Sequence, residues 1–560
     1  MTSEIFALSD SHIDKVAALS PSSATYLGIP GYDHLMNDFS PAGHDARHQL
    51  NVDTLATLNA LPVTNDDDRL AAGVMREMLE AEIDSYSVGE HLRAIRVIAG
   101  DVESAHGVFD LMRAENGDDW AVINDRISNV ARAYAGMRES WMLGISRGVV
   151  TSQRQVFAVA EQLDAYAGKS GAPAFFRAVA DRASSVAGAP MDDLRRNAET
   201  ATAAIAETAE FLRTTYIKAA RESDGCGEEV HSVARRQFLG AVIDPREAYE
   251  WGWEETMRLD EEIRKCGELI APGESPAAVR HLLDTDPNRA VHGEENLRDW
   301  LQELMDEAMT FLIDGNHFNI DPRIRTVEAM ISPPGGAAAM YYTQPAEDLS
   351  RPGRTWSPAN GRASFPRWGE PTTAYHEGVP GHHLQCATAV LQKDRLSRMQ
   401  RLFFNSGHGE GWALYSERLM DEFGFLENPD YRLGYLYGQA LRAARVVVDL
   451  GIHCGYAIPK SSKWHPGEKW TPELMLEFVT EHSSSDDEFN RSEVDRYLGW
   501  PGQAISYKVG ERIWLEGRDA ARRTAGPRFD LRAFHSYALG LGGMGLGLLR
   551  EELGRMPTGP

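Results

Sequence analysis

The sequence predicts a mainly α-helical protein with a small amount of β-structure. Apolar residues recur at helical spacing through most of the chain, and one long Ala-rich tract contains neither Pro nor Gly. A single region near residue 340 breaks this pattern with aromatic and β-branched residues, which favour a short strand. The three observations together indicate a helical fold that carries a small sheet.

The helices follow from the spacing of apolar residues along the chain. Residues 68–86, for example, place Ala71, Val74, Met75, Met78, Leu79 and Ile83 on one stripe of a helix. The Ala-rich tract at 191–220 has high helix propensity throughout. We predict helices at 68–86, 191–220, 245–268, 294–314, 435–449 and 473–482.

The non-helical region has an order of its own. Residues 331–336 are rich in Pro and Gly and predict a turn, and residues 337–344 predict a short strand. A proline-containing loop follows, and a helix is then expected at 372–377. We therefore predict a strand, a loop and a helix in sequence, with a division into a helical half at 1–240 and a second half at 241–560. No flexible linker separates the halves, so we expect one interleaved unit.

The composition limits the possible partners. The chain has 560 residues and a net charge of −26, which disfavours binding to nucleic acid or to an anionic membrane surface. The N-terminal segment has neither a basic stretch nor a long apolar core, so we expect no signal peptide. Four widely spaced cysteines are consistent with reduced thiols. We expect a cytoplasmic protein, and its oligomeric state stays open.

Histidine and glutamate residues cluster at 376–383, where the sequence is His-Glu-Gly-Val-Pro-Gly-His-His. Zinc in hydrolases takes about three His, Glu or Asp ligands and leaves one position for water. At about 100° per residue, an undistorted helix would bring His383 to the face of His376. Pro380 and Gly381 disfavour such a helix, and a kink there would bring His382 round instead. We take His376 and His382 as metal ligands, with His383 as the alternative to His382.

A third ligand is expected on a later helix. Glu410 and Glu417 stand seven residues apart, so they face the same way two turns apart on a helix. This pair resembles the third-ligand helix of thimet-type oligopeptidases and Taq-type carboxypeptidases. The resemblance implies that Glu410 binds zinc and that Glu417 orients a ligand histidine.

The motifs at 375–385, 410–419 and 495–510, and the opening segment at 20–29, resemble the family catalogued as domain of unknown function 885. That family is similar to gluzincin-type zinc metallopeptidases. The resemblance implies a large, mostly helical fold with a small β-sheet at the edge of a deep active-site cleft. Many relatives look like secreted lipoproteins, whereas no signal peptide is expected for this chain.

Other residues have alternative interpretations. By its place in the related segment, Tyr507 is a candidate donor to the oxyanion that forms in amide hydrolysis, or a packed aromatic residue. His453 is a second candidate donor, or the partner of a nearby carboxylate. Arg442 and Arg445 would suit a substrate carboxylate or a carboxylate on another helix. The strand at 340–343 would pair with an extended peptide or simply pack beside the site.

The sequence therefore predicts a zinc-dependent hydrolase that cleaves short peptides, with Zn²⁺ held by His376, His382 and Glu410. Zinc would polarise the carbonyl and acidify a water, and Glu377 would carry that water's proton to the leaving amine. Two alternatives stay open: hydrolysis of a non-peptide amide, and a non-catalytic binding protein on a peptidase scaffold. Cleavage at a chain end or within the chain is also undecided.

Overall fold

The computed structural model of the protein describes residues 3–332, 339–347, 349 and 351–556. These residues are mainly helical with small sheets, so the predicted fold class is confirmed at this level. The chain divides into two compact units. The first comprises Met1–Val233 and Asp495–Pro501, and the second comprises Ala234–Val494 and Gly502–Pro560. The sequence placed the division near residue 240, and the expected single interleaved unit stays a prediction.

The first part of the chain is built from helices. They are α1 (Glu4–Leu19), α2 (Pro21–Tyr26), α3 (Pro41–Ala60), α4 (Asp66–Ser87), α5 (Asp101–Ser104), α6 (Gly117–Ser128), α7 (Val130–Arg147), α8 (Gln153–Tyr166), α9 (Phe175–Arg182), α10 (Met191–Thr214) and α11 (Glu228–Leu239). Among the described residues, we find no helix with the length and apolar character needed to cross a membrane.

Helix α10 organises the core of the first unit, because it contacts α6, α7, α8 and α9. Large side chains such as Trp120 and Trp141 are fully buried in this core. The predicted helix at 191–220 is confirmed, but it ends early, at Thr214. The sequence there runs Thr214-Thr215-Tyr216-Ile217, and such β-branched and aromatic residues lose side-chain freedom in a helix.

The second part of the chain holds the remaining helices and all the strands of the described residues. The helices are α12 (Pro245–Ile270), α13 (Pro276–Thr285), α14 (Glu294–Asp314), α15 (Glu370–Glu377), α16 (His382–Leu391), α17 (Arg398–Leu402), α18 (Ser406–Glu422), α19 (Pro429–His453), α20 (Pro472–Glu481), α21 (Asp487–Gly499), α22 (Ser506–Ala525), α23 (Leu531–Leu539) and α24 (Leu546–Gly554). The strands are β1 (Ala290–His292), β2 (Val327–Ile331), β3 (Tyr341–Thr343), β4 (Gly353–Ser357) and β5 (Ser364–Pro366).

Several of these helices start with the same local signal, a capping residue followed by proline. Asp244, Ser275, Asn428 and Thr471 each accept a backbone N–H with the side chain, and each precedes a proline at the first helical position. Proline suits that position because its missing N–H would have no helical partner there. The helices predicted at 245–268, 435–449 and 473–482 are confirmed, and the capping signal places the start of the second one earlier, at Pro429.

The main sheet has the strand order β2-β4-β3. Strands β2 and β4 are parallel, and β3 is antiparallel to β4, with Tyr341 opposite Trp356. A second pair joins β1 and β5 in antiparallel fashion. The strand predicted at 337–344 is confirmed at Tyr341–Thr343, whereas residues 337 and 338 lie outside the described residues.

The long loop predicted after this strand is wrong, because it contains β4 and β5. Successive residues of β4 alternate between buried and partly exposed positions, which is the pattern of a strand. Pro352 and Pro358 flank β4 rather than interrupting it. Proline can stand next to a strand where it does not remove a hydrogen bond of the ladder.

Helices α18 and α22 approach each other closely through glycine. A Cβ on Gly411 would lie 2.5 Å from the carbonyl carbon of Gly510, and a Cβ on Gly510 would lie 2.1 Å from the oxygen of Gly407. Both distances are far below any normal contact, so only glycine permits this approach. The contact sets the first turns of α18 against the first turns of α22.

We expect Gly411→Ala to lower the free energy of unfolding by about 2 kcal/mol or more, because the added methyl group meets backbone atoms that cannot rotate away. Chemical denaturation measures this loss. Gly554→Ala is the matched control, since no atom lies within 4 Å of its Cβ position. The control should leave stability unchanged or slightly higher. Equal stability of the two variants would contradict the close helix contact.

Candidate metal centre

The histidine segment folds as two helices separated by a short turn. Helix α15 ends at Glu377 and α16 begins at His382. The Gly381 N–H donates to the Tyr375 carbonyl at 3.0 Å, and Pro380 has no N–H with which to continue a helix. A Cβ on Gly381 would stand 1.8 Å from the His376 oxygen, so this position requires glycine. The helix is therefore interrupted at the Pro-Gly pair that the sequence indicates.

This interruption brings His382, rather than His383, beside His376. The Nε2 atoms of His376 and His382 lie 3.3 Å and 3.6 Å from Oε2 of Glu410 on α18. The two imidazole rings are nearly perpendicular, at 86°, with centroids 5.0 Å apart. One potential ligand atom from each residue lies within 4.8 Å of the other two. The structure thus joins the three predicted ligand residues in one cluster.

The donor set of this cluster fits a zinc ion. Oε2 of Glu410 is buried and has no hydrogen-bond partner among the described residues. An unpaired buried carboxylate oxygen is costly, and a cation between it and the two imidazoles would remove that cost. Two imidazole nitrogens and one carboxylate oxygen, with a fourth position left for water, are typical of catalytic zinc sites.

Glu417 forms a hydrogen bond with the side of the His376 ring that faces away from Glu410. The Nδ1–H of His376 donates to Oε1 of Glu417 at 2.8 Å, and the Thr372 hydroxyl donates to Oε2 at 2.5 Å. Glu417 is fully buried. A proton fixed on Nδ1 leaves the Nε2 lone pair of neutral His376 directed at Glu410, which is the state that a metal requires.

Charges within the cluster shift the protonation of its members. Burial lowers the pKa of His376, but the nearby carboxylate of Glu410 and the hydrogen bond to Glu417 outweigh it and raise the pKa to about 9. Burial raises the pKa of Glu410, yet His376 and His382 hold that pKa well below its usual range. The site therefore keeps an ionised carboxylate that attracts either a proton or a metal ion to Nε2 of His376.

Glu377 follows the first histidine directly and lies at the edge of the cluster. Its Oε1 is 3.9 Å from Nε2 of His376, and 11% of its side chain is exposed. Burial raises the pKa of Glu377, while the neighbouring His376 and His382 lower it in part. A carboxylate beside the metal position with a raised pKa is suited to accept and return a proton.

His383 has a different environment from its neighbour. Its Nε2–H donates to the Ile324 carbonyl at 2.8 Å, so its Nδ1 accepts from the Tyr342 hydroxyl at 3.1 Å. Burial lowers the pKa of His383 to about 4, which keeps the ring neutral. Both ring nitrogens are thus engaged, and His383 fastens the start of α16 to strand β3.

Tyr507 lies at the start of α22, beside the cluster. Its ring centroid is 6.5 Å from that of His376, and the two planes differ by 22°. The guanidinium of Arg445 stacks 4.5 Å from the Tyr507 ring centroid and pairs with Glu493 at 2.6 Å. The role of Tyr507 as oxyanion donor stays a prediction, as does that of His453, which is buried at the end of α19.

Three residues of the site were not singled out from the sequence. Thr372 precedes His376 by four residues and so shares its helix face, a spacing that sequence analysis could have used. Trp412 Nε1–H donates to the carbonyls of Pro380 and Gly381, at 3.0 Å each, and so supports the interruption. Phe404 places a half-exposed ring 5.7 Å from the ring of His382, and no local sequence signal indicates this.

The chain matches a known protein family, and the solved structures that it resembles include two bacterial proteins. The family described as "Bacterial protein of unknown function (DUF885)" matches residues 21–553. No curated protein matches the chain. A candidate lipoprotein from Colwellia psychrerythraea is similar in structure, with a TM-score of 0.84 and 21% identity over 99% of this chain and 98% of that one. A candidate lipoprotein of unknown function from Shewanella oneidensis has a TM-score of 0.74 and 19% identity over 98% and 99%.

His382→Ala and His383→Ala form a matched pair that tests which histidine binds metal. We expect His382→Ala to lose zinc, because it removes one of three ligands, and His383→Ala to keep one zinc per chain. His383→Ala should instead lower stability by about 1–3 kcal/mol, because it leaves polar groups unpaired. Elemental analysis and thermal unfolding measure the two effects. The reverse pattern, with zinc lost only from His383→Ala, would show that the ligand assignment is wrong.

Glu417→Gln tests whether the carboxylate that accepts the His376 Nδ1–H supports metal binding. We expect zinc affinity to fall about 10- to 100-fold, since the loss of a carboxylate behind a ligand histidine has effects of this size. Competition with a chelator measures the affinity. Glu422→Gln is the control, because Glu422 lies on the same helix and pairs with Arg518 instead. A wild-type affinity in Glu417→Gln would mean that this carboxylate does not support the metal.

Proposed function

The chain belongs to the DUF885 family of bacterial proteins, and we propose that it is a zinc-dependent peptidase that cleaves short peptides. The proposal rests on one observation above the others. His376, His382 and Glu410 converge on one point, with the carboxylate of Glu377 beside them. The arrangement resembles that expected of gluzincin-type metallopeptidases, and we propose that the chain shares their chemistry.

The residues of the cluster have two proposed roles, metal binding and proton transfer. Zinc, when bound by His376, His382 and Glu410, would supply a Lewis acid that polarises the scissile carbonyl and acidifies water. Glu377 takes the proton from the attacking water and returns it to the leaving amine. Burial raises the pKa of Glu377, which favours the protonated form that returns the proton to the amine.

Tyr507 is the proposed donor to the negative charge that develops on the carbonyl oxygen. Its position beside His376, on a helix that glycine holds close to α18, supports the role. A donor fixed before the reaction stabilises the transition state without the cost of reorganising. The guanidinium of Arg445 on its ring restrains the phenol in place.

The burial of the cluster supports a small, extended substrate. The side chains of His382, Glu377 and Glu410 are exposed by 9%, 11% and 14%. These side chains are largely covered by the protein, which favours a thin, extended substrate over a folded protein surface. Short peptides, whose backbone can enter in extended form, meet this restriction. The deep cleft expected from the sequence is part of this proposal.

Glu377→Gln tests the proposed chemistry. We expect the variant to keep one zinc per chain and to lose activity by about 10²- to 10⁴-fold, because an amide cannot accept the water proton. The assay measures cleavage of mixed short peptides with free and blocked termini, and zinc is determined on the same sample. Chelation should abolish the wild-type activity and added zinc should restore it. Undiminished cleavage by Glu377→Gln would show that this mechanism is wrong.

A further inference from the structure

Helix α19 contains one conspicuous break in its burial. From Leu433 to Gly451, every residue of this helix is buried except Arg442, which is partly exposed. A helix buried on all sides belongs to a core, where an arginine is costly unless its charge is paired. The partial exposure of Arg442 therefore marks an opening in the second unit.

This opening lies beside the candidate metal centre. If Gly438 carried a Cβ, it would stand 2.9 Å from Nη1 of Arg442 and 3.8 Å from Oε2 of Glu417. Glu417 is the carboxylate that holds His376. Arg442 also lies close enough to Glu377 for the two charges to interact. The guanidinium thus stands close to the reacting groups.

Arg442 differs from the other arginines of this part of the chain in its partners. Arg445 pairs with Glu493, Arg432 with Asp421 and Arg418 with Glu511. Nη1 of Arg442 donates to the Gly438 carbonyl at 3.0 Å. Among the described residues, Arg442 has no ion pair, and its buried Nε has no hydrogen-bond partner.

The Glu417 carboxylate, which lies near Arg442, is engaged by other groups. Glu417 receives the His376 Nδ1–H and the Thr372 hydroxyl, one at each oxygen. Several N–H donors of the partly exposed Arg442 therefore stay available for a ligand. A guanidinium fork matches a planar carboxylate with two parallel hydrogen bonds, a contact that no neutral group provides as well.

We propose that Arg442 binds the free C-terminal carboxylate of the peptide substrate, so that the protein acts at the carboxyl end of short peptides. The proposal rests on the function proposed above and names its substrate class. A carboxylate held by Arg442 would place the last peptide bonds of the substrate near Glu377 and the metal ligands. An internal segment of a chain, or a peptide with a blocked C-terminus, has no group for this contact.

A pair of peptides that differ only in a C-terminal carboxylate or carboxamide tests the proposal. The wild-type protein should cleave the free acid with a kcat/KM about 10- to 100-fold above that of the amide. This ratio corresponds to the loss of a hydrogen bond to a charged group. Arg442→Met should remove this preference by raising KM for the acid, and Arg442→Lys should keep part of it. Arg432→Met removes an arginine from the same helix and should leave the preference intact.

Binding provides a second measurement that does not depend on turnover. Calorimetry with Glu377→Gln protein should show tighter binding of the acid than of the amide, and adding Arg442→Met should equalise the two. Equal cleavage of both peptides by wild-type protein, or equal binding by Glu377→Gln protein, would overturn the role of Arg442. Absence of any cleavage would instead count against the proposed peptidase function, and the calorimetry would still decide the role of Arg442.

Discussion

The buried carboxylate of Glu417 is the interaction on which the candidate site depends. It joins α18 to α15 through two hydrogen bonds, one to the His376 ring and one to the Thr372 hydroxyl. A carboxylate out of contact with water is costly, and only well-directed donors offset the cost. Here both donors come from one face of α15. The same contact that satisfies the charge therefore fixes the rotation of that helix and the tautomer of its histidine.

Helix α18 connects this contact to the other parts of the candidate site. Glu410 stands two turns before Glu417 on the same face, so fixing one carboxylate also directs the other at the histidines. Between them, Gly411 brings α22 close, and Trp412 binds the carbonyls at the interruption between α15 and α16. Helix α18 thus supplies one proposed ligand, Glu410, and the carboxylate that supports another, His376. It also contacts two neighbouring elements of the fold. A change in its path would disturb all of these groups at once.

Local rules on spacing made much of the site predictable from the sequence. The seven-residue interval of Glu410 and Glu417 fixes a common face in any α-helix, and Pro380 with Gly381 predicts the interruption without knowledge of the fold. The choice between His382 and His383 depends on partners far along the chain, Tyr342 and Ile324, which no local pattern connects to them. Strand β4 was missed for the same reason, because its pairing with β2 and β3 outweighs the prolines that flank it.

The negative net charge of the protein explains why positive charge inside the site would be needed to bind a carboxylate. The chain carries a net charge of −26, so its long-range field repels an anionic substrate. Salt screens that field over about 8 Å at physiological ionic strength, and contacts inside the site then decide what binds. Glu377, Glu410 and Glu417 add three carboxylates there. A bound divalent cation would offset two of these charges, and the Arg442 guanidinium would offset the third. The proposed site can therefore accept a peptide carboxylate although the protein as a whole is strongly acidic.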